Sequence, residues 1–201
     1  MFLRIAFLLL YSAVCMASMP HSFTTERLFA EKVTFQHKVY LEKILNDSLI
    51  QETVNTYEKE TFTNVSYQLD ILDTQWNEYN YGLYAIFEKQ TNTFIGCAGF
   101  HSTAIHENNT IDALSDTPRD ELELYFFYLP NYWRKGYGFE IATKLIELAF
   151  AHLPHTNMIA YVEHKNKASS NLCEKLQFNS EGVVMYNNFP HTLYRLSKLD
   201  R

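Results

Sequence analysis

A buried run of β-forming residues that changes abruptly into an amphipathic helix constrains this chain most. Residues 121–129 read ELELYFFYL, which is too hydrophobic for an exposed loop and predicts a buried strand that ends at the following proline. After Gly138 the apolar residues recur at helical spacing as far as about Leu153. On the polar face of this helix, Glu140 and Lys144 are correctly ordered for an ion pair one turn apart.

The turn between strand and helix combines two glycines with two cations. Gly136 and Gly138 allow a tight turn and leave backbone N–H groups uncovered at a helix N-terminus, where the dipole is positive. Arg134 and Lys135 add two full positive charges. This combination predicts a site for a phosphate group. The residues alone leave open a plain turn in which the glycines serve only the geometry.

Two common nucleotide-binding motifs do not fit this turn. A Walker loop requires Gly-Lys followed by Ser or Thr after four intervening positions, and the chain has no such sequence. A dinucleotide fingerprint requires a small third residue, but the chain has Ile141 there. A phosphate site here must therefore belong to another family.

The segment 123–138 resembles the acetyl-CoA-binding core of the GNAT superfamily of N-acetyltransferases. It reads ELYFFYLPNYWRKGYG, and it is most similar to the ribosomal-protein-alanine (RimJ/RimL-like) branch, whose core reads roughly ELGYxLxPxYWGKGYA. A second segment, 166–178, resembles the family pattern NxxSxxxxEKxGF. Two motifs in the right order are far more specific than either one alone. The resemblance extends over about residues 24–197.

Four positions that differ from the ribosomal branch or from the wider superfamily bear on the site. Trp133 stands where the wider superfamily has Gln or Arg, although the ribosomal branch also has Trp. Arg134 replaces a glycine of that branch, and Tyr125 replaces another, which we expect to narrow the acceptor groove. Gln177 replaces the glycine of a Gly-Phe turn, where glycine usually supplies the left-handed residue after a helix.

The resemblance implies an α+β fold with a mixed, mostly antiparallel central sheet of six to seven strands and helices on both faces. It also implies direct transfer of an acetyl group from acetyl-CoA to a primary amine, with no metal. Asn166 would contact the pantetheine arm, and the strand end at Tyr128 and Leu129 would supply N–H donors to the reacting thioester. The diphosphate would bind the backbone of Arg134, Lys135, Gly136, Tyr137, Gly138 and Phe139.

The resemblance implies catalytic roles for two side chains, Glu123 and Ser169. Glu123 matches the strand carboxylate that often faces the acceptor, and an α-amino group with a pKa of about 7.7–8.0 needs only a modest base. Ser169 matches a hydroxyl near the sulfur. The alternatives are structural: Glu123 or Glu121 as the polar face of a half-buried strand, and Asn166 as a helix cap. His101 is a weaker candidate for the base.

The rest of the chain shows alternating strand and helix patterns. Gly96 and Gly99, inside one predicted strand, indicate a bulge or close packing. The predicted strands are 24–33, a hairpin of 82–88 and 93–102, 156–163, and closing strands within 186–197; the predicted helices are 35–46, broken helix over 47–73, and 167–175; 76–80 is a loop or helix end, and 106–120 is a loop.

Length and charge narrow the classes of function. The 201 residues suit one domain, predicted over 19–201. A net charge of −6 disfavours a nucleic-acid surface and loosely favours a cationic acceptor. Cys97 and Cys173 have no metal-ligand spacing, which predicts small core residues and no metal. The pattern leaves open whether the protein is a monomer or a homodimer.

The first 18 residues have two interpretations. They resemble a weak secretory signal, too short for a confident membrane-spanning helix, or they precede an internal start at Met16 or Met19. An internal start predicts a cytoplasmic protein, and acetyl-CoA is expected in the cytoplasm. A secretory signal predicts a secreted protein, such as an exported effector. A non-catalytic acyl-CoA-binding module on the same fold is the alternative to an enzyme.

Overall fold

A single mixed sheet organises the protein in the computed structural model, which describes residues 18–53, 65–106, 108–113 and 121–200. The described part contains nine strands in the order β1-β2-β3-β4-β6-β7-β9-β8, with β5 paired to β4. The strands are β1 (Ser22–Thr24), β2 (Leu28–Lys32), β3 (Leu83–Glu88), β4 (Thr93–Ile105), β5 (Ile111–Ala113), β6 (Glu121–Tyr128), β7 (Asn157–Glu163), β8 (Asn179–Tyr186) and β9 (Phe189–Ser197).

Helices cover both faces of this sheet, which confirms the predicted fold class. On one face, Leu145, Ile146 and Ala149 bury the apolar stripe of α4. On the other face, Leu41 and Leu69 pack α1 and α3 against alternate residues of the same strands. The helices are α1 (Lys38–Leu45), α2 (Ser48–Thr53), α3 (Val65–Tyr79), α4 (Tyr137–His152) and α5 (Lys167–Lys175), with single 3-10 turns at Phe35–His37, Pro130–Tyr132 and Lys198–Asp200.

The pairing of β6 with β7 differs from the other pairings of the sheet. The other pairings between the named strands of the described residues are antiparallel, whereas β6 and β7 run parallel and share one register pair, Glu123 with Ile159. Along the described length of both strands no further register pair follows it, and residues 124–127 of β6 and 160–163 of β7 line a common cavity, so the two strands separate toward their C-terminal ends. The helix α4 that connects them begins at the same edge of the sheet, so the gap and the helix start lie side by side.

The glycines of β4 allow close packing between strands, as the sequence predicted. A Cβ atom added at Gly96 or Gly99 would overlap a backbone carbonyl of the neighbouring strand. The β3–β4 register also shifts between Ile86 and Phe87, opposite Gly96. Here glycine is required by the approach of backbone to backbone.

Several predicted boundaries were wrong. Strand β5 lies inside the predicted loop 106–120, of which residues 107 and 114–120 fall outside the described residues. Strand β8 begins at Asn179, well before 186. Helix α3 continues beyond 73 and ends at Tyr79, within the segment 76–80 that was predicted as a loop or a helix end. The predicted strand 24–33 corresponds to two shorter strands, β1 and β2. Three-residue strands carry too little alternation to be recognised in a sequence, which is why the strand count was too low.

The N-terminal prediction, for residues 1–17, lies outside the described residues. Within the described ranges, the helices are all too short or too polar to cross a membrane.

Candidate active site

The turn between β6 and α4 requires left-handed backbone at two positions. Arg134 has φ 57° and Gly136, the N-cap of α4, has φ 80°. Gly138 has another reason to be glycine, since a Cβ atom there would lie 3.3 Å from Leu172 Cδ2 and 3.6 Å from Tyr128 Cε2. Gly136 therefore allows the chain to reverse direction, and Gly138 allows α4 to approach α5 and the end of β6.

This turn presents backbone N–H groups at the start of a helix. The first backbone hydrogen bond here runs from the Glu140 N–H to the Gly136 carbonyl, at 3.1 Å. The first turn of an α-helix has no intrahelical acceptors for its own N–H groups. With the positive end of the helix dipole and the exposed Arg134, the arrangement suits an anion.

A cavity of about 720 Å³ lies against this turn, between the end of β6 and the start of α5. Two lysines of α5, Lys167 and Lys175, also line it, and the Lys175 ammonium lies 4.2 Å from the centroid of the Phe139 ring. These lysines were not predicted as site residues from the sequence, although they lie two turns apart on one helix. The predicted residues that line the cavity are Tyr128, Arg134, Gly136, Tyr137, Gly138, Phe139, Asn166 and Ser169.

Lys135 differs from its neighbour Arg134 in where its side chain lies relative to the cavity. Its ammonium is 5.0 Å from the centroid of the Tyr132 ring, and its carbonyl accepts a hydrogen bond from Arg27 Nη1 at 3.0 Å. Its side chain is not among those that line the cavity. Of the two predicted cations, Arg134 is the one beside the cavity.

At the end of β6, one of the two predicted N–H donors is wrong. The Leu129 N–H donates to the Ile95 carbonyl at 2.9 Å, so the sheet already uses it, and the Leu129 side chain is buried. Because successive N–H groups of a strand point to opposite edges, the Tyr128 N–H points toward β7 and the gap. The Tyr128 carbonyl accepts a hydrogen bond from Trp133 Nε1 at 2.6 Å, which ties the turn to the strand end.

Asn166 caps α5 as the sequence predicted, because its Oδ1 accepts a hydrogen bond from the Ser169 N–H at 3.1 Å. Both residues line the first cavity and also a second one, of about 220 Å³. Phe126 and Phe127 are likewise common to both. The two cavities therefore meet where β6 and β7 separate.

Glu123 is the strand carboxylate that lines the second cavity. Its side chain is only 6% exposed and accepts a hydrogen bond from Thr103 Oγ1 at 2.8 Å. His101, its register partner on β4, lines the same cavity. Thr103 was missed by the sequence analysis, since nothing in a strand pattern marks a hydroxyl that bonds to the neighbouring strand.

The neighbouring carboxylate Glu121 has a structural role. Its Oε2 accepts a hydrogen bond from Arg195 Nη1 at 2.8 Å, and Arg195 Nε binds Glu181 at the same distance. The hydrogen bond to Glu121 is the largest contribution that raises the pKa of Arg195. Of the two candidate carboxylates on this strand, Glu123 is the one in the cavity.

Two other ionisable groups in the second cavity are neutral near pH 7. Burial, and then the charges of Cys97 and Glu123, raise the pKa of Tyr125 well above its usual value. His191 Nδ1 lies 2.9 Å from the Phe189 carbonyl, and burial lowers the pKa of this imidazole. The cavity thus offers uncharged hydrogen-bonding groups beside the Glu123 carboxylate.

Arg27, immediately before β2, holds the turn in place by contacting Glu140 and Tyr137, and we call this set of contacts the clamp. Arg27 Nε lies 2.6 Å from Glu140 Oε2, and the Arg27 N–H donates to Glu140 Oε1 at 2.8 Å. The Arg27 guanidinium also lies 4.5 Å from the centroid of the Tyr137 ring, and Tyr137 Oη donates to Glu88 Oε1 at 2.5 Å. These contacts fix the first turn of α4 against the sheet.

This clamp makes the predicted pair of Glu140 with Lys144 wrong. Glu140 binds Arg27, and Lys144 Nζ instead lies 3.1 Å from Glu147 Oε2. Helical spacing reveals local partners only, and Arg27 is far away in sequence.

The fold and the paired cavities define a class of protein. The profile of the family described as Acetyltransferase (GNAT) domain matches residues 27–179, which is most of the chain. This chain belongs to the GNAT acetyltransferase family, and it is an acetyltransferase.

Individual relatives agree with this family. The chain is 25% identical over 170 residues to the uncharacterised N-acetyltransferase YoaA of Bacillus subtilis, covering 82% of this chain and 88% of YoaA. Its fold is similar to that of the ribosomal-protein-S5-alanine acetyltransferase from Vibrio fischeri (TM-score 0.67, 14% identity, 89% and 97% coverage). It is equally similar to AAC(6')-Ib in complex with ribostamycin and coenzyme A (TM-score 0.67, 17% identity, 87% and 95% coverage).

Proposed function

We propose that this protein is an acetyl-CoA-dependent N-acetyltransferase that transfers the acetyl group directly to a primary amine. The observation that carries the proposal is the meeting of two cavities at the gap between β6 and β7, where Asn166 and Ser169 line both. One cavity adjoins a turn that suits a diphosphate, and the other contains a buried carboxylate. A thioester and an amine bound in the two cavities would meet at the gap.

The first cavity fits coenzyme A by charge and by shape. The N–H groups of residues 134–139 would bind the diphosphate, with Arg134 beside it. Lys167 and Lys175 would face the remaining phosphate. The pantetheine arm would lie in the gap, where the Tyr128 N–H points, and would reach Asn166.

The reaction needs a neutral amine nitrogen. Glu123 would take the proton from the bound ammonium, directly or through a water molecule, while the Thr103 hydroxyl keeps its carboxylate in position. The nitrogen lone pair then attacks the acetyl carbonyl carbon, and a C–N bond forms. Donors at the gap, including the Tyr128 N–H, would stabilise the oxyanion.

Collapse of the tetrahedral intermediate breaks the C–S bond, the attacking nitrogen loses its second proton to solvent, and the departing thiolate is protonated and released as coenzyme A. We propose that the Ser169 hydroxyl, at the junction of the cavities, donates a hydrogen bond to the departing thiolate. The products are the N-acetylated amine and coenzyme A. Because acetyl-CoA is a cytosolic metabolite, we propose that the reaction takes place in the cytoplasm. The acceptor is a protein N-terminus, as in the ribosomal-protein-alanine branch, or a small-molecule amine.

The proposal is tested by measuring free-thiol release from acetyl-CoA with a panel of primary amines. Glu123→Gln is expected to lower kcat/KM by about 100-fold or more, since a general base contributes that much, and to leave acetyl-CoA binding unchanged. Ser169→Ala is expected to lower kcat by about tenfold. Glu121→Gln, on the same strand face but outside the cavity, is the matched control and should retain turnover.

Two outcomes would contradict the proposal. If Glu123→Gln and Ser169→Ala both turn over amines at the wild-type rate, the assigned roles are wrong. If the protein binds acetyl-CoA but acetylates no amine, it is a non-catalytic acyl-CoA-binding module on this fold.

A further inference from the structure

The cavity that contains Glu123 has predominantly apolar walls. Aliphatic side chains of α1, α3 and β3 form one side, and aromatic side chains of β6, β7 and β8 form another. No lysine or arginine of the described residues lines it. The apolar and aromatic lining residues include Leu41, Ile44, Leu72, Leu83, Tyr125 and Tyr161.

The charge of the cavity points to a single ammonium group. Its two carboxylates are Glu123 and Glu163. Glu163 Oε1 lies 3.0 Å from Lys165 Nζ, so that its charge is already balanced. Glu123 is the more deeply buried of the two, at 6% exposed, so a bound cation would be attracted mainly to it, at the register pair beside which the strands separate. A second ammonium on the acceptor would find no comparable partner among the lining residues.

The size of the cavity limits the body of the acceptor. Its volume of about 220 Å³ is below the roughly 300–1,000 Å³ of typical ligand pockets. It equals the liquid volume of roughly seven water molecules.

Tyr125 narrows the groove along β6. It is two residues from Glu123, so both side chains point to the same face of the sheet. Its ring centroid lies 3.8 Å from that of His101. Its hydroxyl is buried and has no hydrogen-bond partner within the described part of the chain. The ring thus occupies space that an extended acceptor would need.

From these observations we infer that the acceptor is a compact primary monoamine with an apolar body, such as an arylalkylamine or a short alkylamine, and that Tyr125 sets its upper size limit. This inference rests on the proposed N-acetyltransferase function and specifies its acceptor. Glu123 would bind the ammonium, and the aliphatic and aromatic walls would cover the apolar body.

The test compares acceptors in the full-length protein with saturating acetyl-CoA. The panel is 2-phenylethylamine, hexylamine, spermidine, kanamycin and an alanine-terminated hexapeptide, with kcat/KM from thiol release. We expect the first two to exceed the others by at least tenfold. Tyr125→Ala should raise kcat/KM for the bulkier 3,3-diphenylpropylamine relative to 2-phenylethylamine by at least tenfold. Val39→Ala, on the exposed side of α1, is the control and should keep the wild-type preference.

Binding measurements separate this inference from the proposed function. Calorimetry with the coenzyme A complex reports whether 2-phenylethylamine binds even without turnover, and whether Tyr125→Ala changes its affinity. Turnover of spermidine, kanamycin or the peptide in preference to the apolar amines would overturn the inference and leave the proposed function intact. Specific binding of 2-phenylethylamine without any turnover would overturn the proposed function and, with it, the inference that this amine is an acceptor. If the apolar amines neither bind nor are acetylated, the inference is overturned.

Discussion

At the scale of single residues, two side chains occupy backbone conformations that glycine usually takes. Arg134 has φ 57° and Gln177 has φ 68°, and both replace a glycine of the family pattern. The local fold is kept in each case. After α5, the Gln177 N–H donates to the Glu174 carbonyl and the Phe178 N–H to the Cys173 carbonyl, both at 3.0 Å, as in a Schellman motif. The helix therefore ends at Gln177 in the way that it usually ends at a glycine.

The left-handed conformation of Gln177 predicts a stabilising substitution. Gln177→Gly should raise the free energy of unfolding by about 1 kcal/mol, because a Cβ atom is unfavourable in that conformation and the exposed side chain loses little. Urea denaturation followed by fluorescence measures it. Gln177→Ala, which keeps the Cβ atom, should give no gain. An equal gain from both substitutions would mean that the left-handed backbone is not the cause.

The candidate site was only partly predictable from single residues. Glu123, Asn166 and Ser169 could be chosen because they stand at motif positions, and all three line the cavities. Thr103 and the Leu129 amide could not be assigned correctly, because their partners lie on other strands. A sequence pattern indicates which face a side chain takes, but it does not show which hydrogen bonds the sheet has already made.

At the scale of elements, the clamp from β2 determines how firmly the turn is held. Burial opposes ionisation of Glu140, but hydrogen bonds from Thr25 and Arg27 outweigh it and hold the pKa of Glu140 below its usual 4.5. A carboxyl group with a lower pKa in the folded state stabilises the protein above its unfolded pKa. That contribution is lost as the pH falls through the folded pKa.

Removing this carboxylate should therefore have a pH-dependent effect. Glu140→Gln is expected to lower the free energy of unfolding by about 1 kcal/mol at pH 7, a modest value because the Arg27 side chain is 43% exposed. The difference from wild type should shrink as the pH falls below 4.5. Chemical denaturation at pH 7, 5 and 3 measures it. Glu147→Gln, in an exposed pair, is the control, and a constant difference for Glu140→Gln would contradict the assignment.

Elements with a strong hydrophobic period were predicted almost to the residue. The predicted strand 121–129 and helix 167–175 correspond to Glu121–Tyr128 and Lys167–Lys175. The three-residue strands β1 and β5 were missed, because their pairing partners, and not their own composition, make them strands. Length is thus what separated predictable from unpredictable elements here.

At the scale of the whole molecule, the parallel pairing of β6 with β7 creates the site. Strands β6 and β7 share one register pair, and the separation beyond it brings a helix start, a cap and a buried carboxylate to one gap. The motif order in the sequence implied this fold by resemblance. The two cavities and their shared residues could not be predicted, because they depend on where the strands separate.

The central claim is that residues 134–139 bind the diphosphate of coenzyme A while its sulfur lies in the gap between β6 and β7. A crystal structure of the protein with coenzyme A tests it most directly. We expect diphosphate oxygens within about 3.2 Å of backbone nitrogens of residues 134–139, and the sulfur next to Ser169. Coenzyme A bound away from this turn, or with its sulfur outside the gap, would contradict the claim.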